Sequence, residues 1–101
     1  MTVGFSSISS IKPGRVEDAI AEGEKFKKLL TAAGAQNVRT MLLMSSTPIR
    51  TVLSYEAEDQ TALGKVSDAF MADPTAIEAL KAMGEADSWS AGYVTDTWIE
   101  V

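Results

Sequence analysis

Val38-Arg39-Thr40-Met41-Leu42-Leu43-Met44 carries apolar side chains on both faces of an extended chain, with Val38, Leu42 and Met44 on one side and Met41 and Leu43 on the other. Side chains alternate across a sheet, so such a strand leaves apolar area in water unless both its faces are covered. Upstream, Val3 to Ile11 mixes β-branched and aromatic residues with serines and reads as a first strand, ended by the turn Lys12-Pro13-Gly14. From Arg15 the apolar period changes to Val16, Ala19, Ile20, Gly23, Phe26, Leu30 and Ala33, one face of a helix. Glu17 and Asp18 lie in its first turn and Lys25, Lys27 and Lys28 toward its end, as the helix dipole favours, and Gly34 supplies a left-handed cap. Gly23 costs about 1 kcal/mol relative to Ala in a helix interior. It predicts close approach of the helix to the sheet, with a kink as the alternative.

Downstream, a turn containing Thr47-Pro48 leads to a third strand, Thr51 to Ala57, and the short loop makes strands two and three an antiparallel hairpin. Asp59 is placed to cap a helix carrying Leu63, Val66, Ala69 and Phe70 on one stripe. Proline is tolerated in the first turn of a helix, so Asp73 caps a further short helix from Pro74 to Met83, with Ile77 and Leu80 facing inward and Gly84 at its end. Trp89 to Val101 reads as the last strand. The order is βαββαβ, the split βαβ or ferredoxin-like plan of the α+β class. Its four-stranded antiparallel sheet has strands one and three central, two main helices on one face, and an extra short helix before the last strand. One domain, 1–101, accounts for the whole chain.

Two helices cover only one face of that sheet. The other face, and the unprotected edge from Met41 to Met44, are best covered by a second copy of the chain, so a homodimer is expected. A chain of 101 residues buries roughly 60 to 70% of the surface its unfolded form exposes, so stability leans on assembly. With 46% hydrophobic and 23% charged residues the composition is that of an ordinary globular protein, and no stretch approaches the ~20 apolar residues of a membrane span. The opening Met1-Thr2-Val3-Gly4-Phe5 lacks the basic start and apolar run of a secretory signal, so cytoplasmic residence is expected. A net charge of −5 without a basic stripe argues against nucleic acid and anionic membranes as partners. The chain has no Cys and no His, which removes disulfides, thiolate nucleophiles, sulfur-built zinc sites and the commonest general base. Neither a metal nor a cofactor is expected.

Ile11-Lys12-Pro13-Gly14-Arg15-Val16-Glu17 after a first strand resembles the strand-to-helix signature of the dimeric α+β barrel superfamily, which includes NIPSNAP-like proteins and antibiotic-biosynthesis-type monooxygenases. The likeness extends through Ala33-Gly34-Ala35, Tyr55-Glu56-Ala57-Glu58-Asp59 and Ala72-Asp73-Pro74. It implies a dimer in which two four-stranded sheets pack face to face with helices outside, and a small pocket per subunit between sheet and helices. Family branches that work on haem or aromatic substrates rely on a histidine, so haem ligation and His-dependent catalysis do not carry over to this chain.

Tyr55, Trp89, Tyr93 and Trp98 offer aromatic walls with a polar tip, which suits a pocket for a small apolar ligand, although core packing also uses such residues. Arg39 falls among apolar residues on a strand that should be covered, where it must meet a carboxylate such as Glu56 or Asp96, or a ligand anion. Arg39, Tyr55, Trp89 and Tyr93 are therefore the candidate ligand-binding residues, and no catalytic residue stands out. Ser6, Ser7, Ser9 and Ser10 form a polar stretch explained by hydrogen bonding within the fold, since no triad can be built without His. The expected function is binding of a small apolar or aromatic molecule. The alternatives are a cofactor-independent monooxygenase or isomerase, and a purely structural assembly subunit.

Overall fold

The computed structural model describes residues 2–101. Its elements follow in the order β1 (Val3–Ile11), α1 (Val16–Ala32), β2 (Gln36–Leu43), β3 (Arg50–Ala57), α2 (Gln60–Met71), α3 (Pro74–Met83) and β4 (Ser90–Ile99). All sheet neighbours are antiparallel in the order β2-β3-β1-β4, so β1 and β3 are central, as the split βαβ plan requires. The molecule measures 38 × 33 × 17 Å, and the short dimension is that of two layers, a sheet and the helices on one side of it.

Local chemistry sets the element ends. At the end of α1, Gly34 takes a φ of +100°, its N–H donates to the Thr31 carbonyl, and the Ala35 N–H reaches back to the Leu30 carbonyl. That pair of bonds satisfies carbonyls the helix would otherwise leave bare. Asp59 accepts a hydrogen bond from the Ala62 N–H at 2.8 Å to start α2, and Asp73 accepts from the Thr75 N–H at 2.9 Å to start α3. Pro74 sits in the first turn, where its missing N–H has no partner to lose. α1 is continuous through Gly23, and a Cβ placed there would meet Thr40 Cγ2 at 3.4 Å, the close approach of helix to sheet that the sequence predicts.

Several details differ from the sequence reading. β2 starts at Gln36, because Asn37 adopts a positive φ and the register shifts between Gln36 and Arg39, which lets pairing begin earlier; Met44 falls in the turn. β4 begins at Ser90, since Trp89 turns into the core beside Ile11 and Ala19. α2 buries Leu63 and Val66 and leaves Ala69 exposed, and Ile20 lies off the buried stripe of α1. α3 buries Ala76 and Ala79, whereas Leu80 is 36% exposed. The reason is that α3 packs on α1 and α2 and stands off the sheet, so Leu80 looks into a gap instead of a filled core.

The helix-facing side of β1 carries Val3, Phe5, Ser7, Ser9 and Ile11, and its other side Gly4, Ser6, Ile8 and Ser10. On that uncovered side the Trp98 indole lies flat on Gly4, and its Nε1–H donates to Ser6 Oγ at 3.1 Å, while the Ser6 hydroxyl donates to Ser54 Oγ at 3.2 Å. A Cβ at Gly4 would fall within the indole ring. Gly4→Ala is therefore expected to push Trp98 off the sheet at a cost of roughly 1–3 kcal/mol, the range for overpacking. In a thermal-unfolding cycle with Trp98→Ala, the two losses should be clearly smaller together than their sum.

Candidate functional site

Along the helix-facing side of β1 the bulky residues stop at Phe5 and resume at Ile11, and the two positions between them are Ser7 and Ser9. The core divides accordingly. One cluster gathers Val3, Leu30, Val38, Tyr55, Leu63 and Val66, and the other joins Ile11, Ala19 and Trp89. Between them lies a cavity of about 470 Å³, within the ~300–1,000 Å³ of typical small-molecule sites. Most domains close around one contiguous core; here Ser7 and Ser9 on β1 and Gly64 on α2, where a Cβ would meet nothing within 4 Å, are too small to close the space between the layers.

The register arranges the floor of the cavity in rows. Thr40, Leu53, Ser7 and Thr95 cross all four strands; Thr51, Ser9 and Tyr93 form the next row; Tyr55, Phe5 and Thr97 form a third. The roof is mostly hydrocarbon, with Phe26 and Leu30 from α1, Leu63 and Phe70 from α2, and Leu80 and Met83 from α3. Exposed Tyr93, Met71 and Leu80 mark the mouth. Among the described residues no charged side chain lines the cavity.

Two floor residues are nearly sealed. Ser9 is 4% exposed and Tyr55 is 7% exposed, and neither hydroxyl has a hydrogen-bond partner among the described residues. The Tyr55 ring packs in a tilted pair with Phe5, centroids 5.3 Å apart. Burial pushes the Tyr55 phenol above its ordinary 10.0, so it is a protonated donor at neutral pH.

Of the residues singled out from sequence, Tyr55, Trp89 and Tyr93 come together in this lining, and Arg39 does not. Thr40 points at Gly23, so its neighbour Arg39 points the other way, onto the uncovered face, where it is exposed. Arg39 pairs with neither Glu56 nor Asp96; among the described residues the ion pairs are Arg15–Asp18 and Lys25–Glu22. Trp98 is likewise on the uncovered face. The serines divide by parity. Ser6 is bonded within the fold as expected, whereas Ser7 and Ser9 line the cavity, a role missed although their period-two kinship with Val3, Phe5 and Ile11 was readable. Among the described residues no three carboxylates gather to hold a metal, and no helix is long and apolar enough to cross a membrane.

The same architecture recurs in solved structures. A NIPSNAP family protein from Agrobacterium tumefaciens str. C58 matches with a TM-score of 0.78 over 99% of this chain and 86% of its own, at 5% identity. An uncharacterized NIPSNAP domain protein from Burkholderia xenovorans matches at 0.77, covering 100% of this chain and 95% of its own at 14% identity. A dabb family protein with a ferredoxin-like fold from Mesorhizobium loti matches at 0.69, over 99% and 97%, at 15% identity. The chain thus has the ferredoxin-like α+β fold of NIPSNAP-like proteins, as its motifs imply, and at these identities the likeness carries the fold alone. No protein-family model matches the sequence, and no curated protein matches it.

The raised Tyr55 pKa makes stability depend on alkaline pH. Below pH 10.0 the phenol is protonated in both folded and unfolded chains; above it the unfolded chain ionises first, so stability falls as pH rises toward the folded-state value. Denaturant unfolding between about pH 9 and 11 should show the wild type losing its advantage over Tyr55→Phe as pH climbs.

Proposed function

We propose that this chain is a small homodimeric protein that binds one small, uncharged, apolar or aromatic molecule per subunit in the cavity between sheet and helices. The observation that carries this reading is the gap itself. Ser7 and Ser9 occupy the centre of the core face on a central strand, where Val or Leu would fill the space and add stability. Phe5, Tyr55, Trp89 and Tyr93 supply ring surfaces, and Tyr55 supplies a hydrogen-bond donor. The lining holds hydroxyls and rings, with no group that takes up a proton at neutral pH, which weights the reading toward binding over an isomerase or monooxygenase. The anion role for Arg39 is not carried forward, since Arg39 faces away from the cavity.

The second copy belongs on the uncovered sheet face. There Met41, Val52, Ile8 and Val94 form an apolar row across all four strands, with Met41 43% and Val94 69% exposed. The adjoining row is Arg39, Ser54, Ser6 and Asp96, a cation at one sheet edge and an anion at the other. A two-fold axis parallel to the strands sets β2 of one subunit against β4 of its partner. The apolar rows then coincide, and each Arg39 meets Asp96 of the partner subunit. A stable interface of this kind buries on the order of 1,600 Å² in total.

Native mass spectrometry of freshly purified protein should show an added neutral mass, and Ser9→Leu, which fills the gap, should remove it while raising the melting temperature. No added mass, and no stabilisation by any neutral probe, would sink the binding reading. Sedimentation at micromolar concentration should give twice the chain mass. Arg39→Glu should weaken the dimer and Arg39→Glu with Asp96→Arg restore it; a folded wild-type monomer contradicts the assembly.

A further inference from the structure

The cavity is chemically two-sided. Its sheet floor presents the hydroxyls of Thr40, Ser7, Thr95, Thr51 and Ser9 beside Leu53 and Phe5, and its helix roof is mostly the hydrocarbon of Phe26, Leu30, Leu63, Phe70, Leu80 and Met83, with Gln60 and Ser67 of α2 as its polar side chains among the described residues. Neighbouring strands lie ~4.8 Å apart, and alternate residues on one strand about 6.6–6.8 Å apart. Since Ser7 pairs with Thr95, and Ser9 with Thr51, the hydroxyls form a grid of roughly 5 by 7 Å.

From this we infer that the ligand is a neutral amphipathic molecule, with hydrocarbon on one side and two or more hydroxyl, ketone or ester oxygens spaced along the other, lying flat between floor and roof. The inference rests on the binding reading above. A purely hydrocarbon guest would expel water and leave the Ser7 and Ser9 hydroxyls without partners, since neither is bonded within the fold. A carboxylate or amine would enter a lining that holds no opposite charge, and anions are further disfavoured by the net charge of −5. A hydroxyl both donates and accepts, so Ser7, Ser9 and Thr95 serve alcohol and carbonyl oxygens alike, while Thr51, whose hydroxyl donates to the Met41 carbonyl at 3.1 Å, serves as an acceptor. Oxygens two to four carbons apart on the guest can each meet a different floor hydroxyl. The roof sorts mainly by shape, with Gln60 and Ser67 on α2 as its polar side chains among the described residues.

Three probes on one carbon chain test the class: decane-1,4-diol, decan-1-ol and decanoate, titrated into the intact protein by calorimetry and thermal shift. The diol should bind tightest, by about threefold to tenfold for each added hydrogen bond, and decanoate should not bind measurably. Ser7→Ala combined with Ser9→Ala, which removes two floor hydroxyls with little change of volume, should weaken the diol more than decan-1-ol and so erase the diol's preference. If decan-1-ol or decanoate matches the diol, or the double variant keeps the diol preference, the ligand class is wrong while the cavity remains a binding site. If no probe binds and Ser9→Leu merely raises the melting temperature, the binding reading falls and the ligand class with it.

Discussion

Packed layers of helix and sheet sit roughly 10 Å apart, a distance that side chains from both layers must bridge together. At the middle of β1 the bridge is missing, because Ser7 and Ser9 rise too little from the floor and Gly64 offers nothing from α2 to meet them. Everything specific about this molecule follows from that shortfall. The core separates into one cluster under α2 and another beside Trp89, and each must hold its part of the helical layer in place. α3 completes the roof by leaning on α1 and α2 instead of the sheet, which is why its buried residues are two alanines while Leu80 and Met83 look into the gap.

The two faces of the sheet handle their polar groups in opposite ways. On the uncovered face Ser6 is engaged twice, by Trp98 and by Ser54, and the indole covers Gly4 so closely that no side chain fits there. On the helix-facing side Ser7 and Ser9 have no hydrogen-bond partner among the described residues and face a cavity that opens to solvent. A hydroxyl that water can reach needs no partner within the fold, but it would need one from any guest that displaced that water. The contrast along a single strand, at residues one position apart, locates the difference in what each face contacts and not in the composition of β1.

Most of the fold was legible because the signals were local. Asp59, Asp73-Pro74 and Gly34 state helix ends by mechanisms that need no tertiary context, and the change from period two to period 3.6 after Arg15 is unambiguous. The site was half legible. Tyr55, Trp89 and Tyr93 line the cavity and are conspicuous in sequence as large amphipathic rings, whereas Arg39 lies on the other face; β2 is apolar on both faces and its pattern cannot say which face meets the helices. The register shift before Arg39, which accompanies the positive φ of Asn37, also has no clear sequence signature. Ser7 and Ser9 were readable in principle. Val3, Phe5 and Ile11 share their parity, so the two serines mark an interruption in a core face, and that interruption was the clearest local sign of the cavity.

In the proposed reading the interrupted core gives ligand and partner the same effect on stability. A chain of this size with its core in two parts has less apolar burial to set against the conformational entropy of folding than one packed throughout. A molecule that binds the folded state alone returns part of that stability in proportion to RT ln(1 + [L]/Kd), and a partner subunit on the exposed Met41, Val52, Ile8 and Val94 row does the same by concentration. In the proposed reading β1 is the element common to both, with Ser7 and Ser9 facing the cavity and Ile8 between them on the uncovered sheet face.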